Sequence, residues 1–129
     1  MQDIYGLPVL IGANNEVVEL FFLYHDCMRV NDGSDREHGL RGAEKAYKHR
    51  KDGLIDMDRY EMDFLYEACD NHTGVDNSPC DVTIGVCWDA DRLDLGRVGI
   101  MVDPDRLCCS ESKDKVFIRS CYEKVWDRA

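Results

Sequence analysis

The 129-residue chain is long enough for one hydrophobic core and too short for two ordinary ones. Acidic side chains outnumber basic ones by 26 to 16, for a net charge of −10, so the surface as a whole repels phosphate backbones and anionic membranes. Neither duplex nucleic acid nor a membrane is expected as a partner, while a local basic pocket for a small anion stays compatible with this balance.

Residues 1–12 carry no charged leader, and the apolar part, residues 7–11, is too short to span a bilayer or to act as an export signal. A cytoplasmic protein is expected. The seven cysteines (Cys27, Cys69, Cys80, Cys87, Cys108, Cys109 and Cys121) are odd in number and form no C-x-x-C pair. That pattern fits neither a disulfide framework nor a zinc finger; most are expected to be reduced, several buried as small hydrophobes.

In chain order, residues 16–24 are apolar on all sides, the pattern of a helix at the centre of a bundle. Residues 31–34 break it with turn formers. A second helix is predicted from Asp35 or His38 to His49, with Ala43, Ala46 and Tyr47 facing inward and Gly53 stopping it. Asp56 or Asp58 can cap a third helix to Asn71, whose inward positions are Met57, Phe64, Leu65, Ala68 and Cys69. After the loop TGVDNSPCD a fourth helix runs over residues 82–95. Asp103-Pro104 then starts a short helix through Cys109. A last helix covers residues 112–127 with Val116, Phe117, Ile118, Cys121, Tyr122 and Val125 inside. The fold class is all-α, one helical domain over residues 1–129.

Four polar groups fall where this reading points them inward. His25 and Asp26 end the buried first helix; because successive helical side chains diverge by about 100°, both reach one ion only if it lies just off the helix end. His72 continues the face of Phe64, Leu65, Ala68 and Cys69. Asp91 stands seven after Ile84, three after Trp88 and four before Leu95, in the middle of an apolar stripe. An ionised carboxylate there costs several kcal/mol unless paired or bound to a cation. Asp89 is expected to point roughly the opposite way, solvated or supporting its neighbours. Two imidazoles and two carboxylates meeting inside a bundle suit Mn²⁺, Fe²⁺, Zn²⁺, Co²⁺ or Ni²⁺, and Mg²⁺ if one imidazole stays outside the ligand set.

At these residues the chain resembles the HD-domain superfamily of metal-dependent phosphohydrolases, whose hallmarks are a His-Asp pair ending a buried helix and a distal Asp in a segment like ADRL. The pair is His25-Asp26 and the distal segment Ala90-Asp91-Arg92-Leu93. The likeness is greatest to a small HD-like group through Val17-Val18-Glu19-Leu20-Phe21, Arg29, Asn31, His38-Gly39, Arg41-Gly42-Ala43, Ala68-Cys69, His72-Thr73 and the run CWDADRLDLGRVG, about residues 16–108.

The resemblance implies a helical bundle of HD type with His25, Asp26 and Asp91 on the metal. His72 and His38 are similar to the histidines that hold a second metal or the substrate phosphate. His38 and Arg41, three apart on one helix face, form an anion clamp in this reading, with Arg29 and Arg92 as weaker substrate contacts. For Arg41 the alternative is a surface pairing with Glu37 or Glu44. The implied activity is hydrolysis of a small phosphomonoester, phosphodiester or nucleotide, with Asp26 or Asp91 taking the proton of the attacking water.

One departure stands out. Relatives carry a further His on a preceding helix, and no His occurs before His25. Either the chain begins late, lacking the usual first helix, or it has lost that ligand. In the second case the expectation is a degenerate HD fold that binds a nucleotide or a protein partner without catalysis. A chain starting inside its first helix would expose an apolar seam, and a homodimer covering it is expected.

Overall fold

The computed structural model describes residues 12–30, 35, 37–73, 79 and 81–127, and of 124–127 only the backbone. The expectations placed on residues 1–11, on the 31–34 turn, on most of the TGVDNSPCD loop and on Val125 lie outside the described side chains. Every regular element described is helical, and none is long and apolar enough to cross a membrane.

Helix α1 (Asn15–Tyr24) starts where the Asn14 side chain accepts the Val17 N–H at 3.2 Å, the usual way to satisfy an orphan donor of the first turn. Asn14 also donates its own N–H to Thr83 Oγ1 at 3.1 Å and its amide to Glu61 Oε2 at 2.9 Å. One residue thus pins the start of α1 to two later helices. Val17, Val18 and Phe21 are fully buried, and α1 is flanked by the next three of the four helices that follow it.

Helix α2 (His38–Lys51) buries Ala43 and Ala46 as predicted, but Tyr47 is more than half exposed. Two glycines, Gly39 and Gly42, take the inward place instead, against the backbone at the ends of two other helices. Gly53, with φ 82°, ends the turn that follows. Helix α3 (Arg59–Asn71) is capped by Asp58, whose carboxylate accepts the Glu61 N–H at 2.8 Å. Met57, Leu65, Ala68 and Cys69 are buried, with Met62 added and Phe64 only partly covered.

Helix α4 (Val82–Leu93) lies at the centre, with every residue from Thr83 to Ala90 buried. It stops two residues short of the predicted end, because the chain tightens into a 3₁₀ turn over Asp94–Val98. The short helix expected through Cys109 is confined to a single 3₁₀ turn, Pro104–Arg106, capped as expected by Asp103. Another turn, Ser110–Lys113, precedes α5 (Lys115–Asp127). In α5 Ile118 and Cys121 are buried, but Val116 is exposed.

Asp89 is the main correction. It is not solvated; it is fully buried and accepts the Cys108 and Cys109 N–H groups at 2.6 and 2.8 Å. Cys108 and Cys109 lie outside the short helix expected to run through them: both are half-buried, and their backbone serves the carboxylate. Asp89→Asn keeps one acceptor oxygen and strands one buried amide, which costs about 1–3 kcal/mol. The expected outcome is a lower urea midpoint at unchanged slope.

Candidate metal centre

The end of α1 builds the centre. Tyr24 is its last helical residue, His25 caps it, and Asp26 follows in the turn. Phe21, one turn earlier, is the platform: its ring stacks on His25 at 4.5 Å between centroids and meets the His72 ring edge-on at 5.9 Å. The apolar run that fills the core thus also fixes two imidazole planes.

Three histidines share one device. His25 Nδ1 lies 2.9 Å from the Phe21 carbonyl, His38 Nδ1 2.5 Å from that of Asp35, and His72 Nδ1 2.7 Å from that of Cys69. A carbonyl only accepts, so each Nδ1 carries the hydrogen. Each Nε2 is thereby turned toward the same space, the tautomer and orientation typical of metal-binding histidines.

The Nε2 atoms meet the carboxylates. Asp26 Oδ2 is 3.2 Å from His25, while Asp26 Oδ1 is 2.9 Å from His38 and 3.5 Å from His72. Asp91 Oδ1 is 3.3 Å from His25 on the other side. His38 and His72 face each other Nε2 to Nε2 at 3.0 Å. With both Nδ1 hydrogens already committed, two lone pairs oppose each other there beside a carboxylate oxygen. Such an arrangement repels unless a proton or a cation lies among the three atoms.

Ligand atoms of His25, Asp26 and His72 all lie within 4.8 Å of one another. The separations of 2.9–3.5 Å also match the polyhedron edges of about 3.0–3.4 Å expected for metal–ligand bonds near 2.1 Å. By spacing and by chemistry, these residues fit a divalent cation.

Charge follows the same geometry. Burial opposes a charged His25, but its hydrogen bonds to Asp26 and Asp91 outweigh that and lift it to about 10. The His25 and His72 contacts hold Asp26 far below the ordinary carboxylate range. Without metal, a raised His25 stabilises the fold fully below its unfolded value near 6.5, and the effect fades as pH rises through about 10. Metal binding runs the other way, since a cation must displace that proton. At pH 8 calorimetry in buffers of different ionisation enthalpy is expected to read about one proton released per site; zero release would exclude His25 as the displaced donor.

The sequence-predicted residues are brought together unevenly. His25, Asp26 and His72 come together, and Asp91 meets His25 at 3.3 Å from the cleft edge, with its side chain 25 % exposed and not deep in a stripe. His38 belongs to the same cluster. Arg41 does not join it in a clamp: its guanidinium grips the Met28 carbonyl at 3.2 and 3.3 Å and Asp35 at 2.6 Å, neither Glu37 nor Glu44. It braces the turn that delivers His38.

Arg29 lies 3.7 Å from Asp26 and 3.5 Å from His38 Nε2. Arg92 stacks over Trp88 at 5.6 Å and donates to the Arg106 carbonyl at 2.8 Å. A cleft of about 840 Å³ opens from Asp26, His72 and Asp91 and is bordered by Arg29, Arg92, Arg97 and Arg106. Arg97 and Arg106 escape helical periodicity, because the chain leaves α geometry after Leu93. Nothing in residue spacing foretells which side of a 3₁₀ turn meets a distant histidine. No family model matches the chain, and no curated protein or solved structure matches it.

Proposed function

We propose that the protein is a metal-dependent phosphohydrolase of HD type acting on a small phosphorylated substrate. The observation that carries this reading is the convergence of three Nδ1-anchored imidazoles and two carboxylates beside a cleft bordered by arginines. In a chain of net charge −10, four guanidiniums at one opening are a local inversion suited to an anion. The likeness of the His25-Asp26 and Asp91 segments to HD phosphohydrolases supports the same reading.

A divalent cation bound there supplies Lewis acidity to a phosphoryl oxygen and makes water more acidic. His25, Asp26, His72 and Asp91 would hold it, with His38 beside them. Asp26, whose two oxygens face different histidines, is placed to serve both halves. Asp91 pairs with His25 and lines the cleft, and its carboxylate would take the proton of the attacking water. Arg29 and Arg92 orient the phosphate.

Metal analysis of the purified chain and a colorimetric screen of phosphoesters with added Mn²⁺ test this. A bound divalent ion and turnover of at least one ester are expected. A chain that retains no ion and hydrolyses nothing overturns the enzyme, and thermal shifts across a nucleotide panel then test binding without turnover.

A further inference from the structure

The cleft is larger and more basic than one phosphate requires. Its two carboxylates, Asp26 and Asp91, belong to the candidate metal cluster, where a divalent cation would balance them. Arg29 lies against Asp26 at 3.7 Å and serves the phosphate held there. Arg97 and Arg106 belong to neither group: they come from the two 3₁₀ turns after α4 and border the same opening.

The segment around Arg106 is held in place. Asp103 caps it with Pro104 at the first position, and Arg92 donates to the Arg106 carbonyl at 2.8 Å. Arg97 is more than half exposed and rests on Asp94 at 3.1 Å, a surface contact that is cheap to exchange. Leu95, Val98 and Val102 line the same cleft, an apolar surface that a bare inorganic anion would not use. About 840 Å³ is space for an organic body of nucleotide size.

We infer that the substrate is an organic molecule carrying two phosphates, one held at the histidine–aspartate centre and the other by Arg97 and Arg106. This rests on the phosphohydrolase reading for the first phosphate, and the second has its own readout. AMP, ADP and adenosine 3′,5′-bisphosphate share one organic body, and ADP and the bisphosphate distinguish adjacent from separated phosphates.

In calorimetric titrations of the Mn²⁺-loaded protein, ADP or the bisphosphate is expected to bind about tenfold or more tightly than AMP. An Arg97→Gln/Arg106→Gln double variant is expected to bring that ratio to within about twofold of one. A wild-type ratio near one, or a ratio unchanged in the double variant, overturns the inference even if all three esters are hydrolysed. Turnover is followed in the same solutions: a preserved ratio without turnover supports the second phosphate site and counts against hydrolysis alone.

Discussion

Asp26→Asn is expected to abolish turnover and to weaken divalent cation binding by more than about 100-fold, since even residues that only orient a metal's ligands are worth about 10–100-fold. The reason is the way one carboxylate is shared. Oδ2 faces His25 at 3.2 Å, and Oδ1 faces His38 at 2.9 Å and His72 at 3.5 Å. An amide keeps the shape, removes the charge, and turns an NH₂ group toward at least one of these imidazoles. His25 also loses one of the two partners that raise it, so its pKa falls. Stability should fall, because the buried His25 loses a partner that favours its charged form, and solvent at Asp26, whose side chain is 43 % exposed, moderates the loss. Metal content after dialysis, the phosphoester assay and a melting curve check the three parts together. A folded variant with full metal content and normal turnover would remove Asp26 from the centre.

Gly39→Ala should act through the fold instead. A methyl group on Gly39 would overlap the Cys69 carbonyl oxygen and stand 3.1 Å from both the Asp70 carbonyl oxygen and His72 Nδ1. The Cys69 carbonyl is the acceptor that fixes the His72 tautomer. Alanine gains about 1 kcal/mol of helix propensity over glycine, but overlap with backbone cannot be relieved by a rotamer change, and overpacking of this kind costs about 1–3 kcal/mol or more. The overlap should win. A melting temperature lower by about 5–10 °C is expected, with metal affinity reduced as α2 and the end of α3 separate. Gly42→Ala repeats the experiment one turn on, where the methyl would overlap the Tyr24 carbonyl oxygen beside His25. If either alanine raised stability, the close approach of α2 to the ends of α1 and α3 would be wrong.

These glycines explain a stretch whose meaning the linear pattern conceals. In HGLRGA the eye goes to His38 and Arg41, and helical spacing invites pairing them as one clamp. Packing separates them. The bare surface of Gly39 and Gly42 lets α2 come within backbone contact of the two helix ends that carry His72 and His25, which brings His38 Nε2 to Asp26. Arg41 remains outside, bracing Met28 and Asp35.

Asp91 and Asp89 make a complementary case. The cost of burying a charge singled out Asp91, yet α4 is buried on every side, so the periodicity of its apolar residues could not rank its two carboxylates. Asp89 is the fully buried one, satisfied by two amides nineteen and twenty residues away in the chain.

By itself the sequence determined the helices, the cap at Asp103 and a choice of Asp56 or Asp58 for the third helix, the absence of strands among the described residues, and the delivery of His25 and Asp26 off the end of an apolar helix. These are local matters, governed by a 3.6-residue period and by side chains that bond to backbone within a few positions. Tertiary structure alone decided that His38 reaches Asp26 without Arg41, that Asp89 is the internal carboxylate, and that Arg97 and Arg106 border the cleft. Each depends on two backbones meeting from far apart in the chain, where a missing Cβ or a turn tightened from α to 3₁₀ sets the outcome, and no period in the sequence records such a meeting.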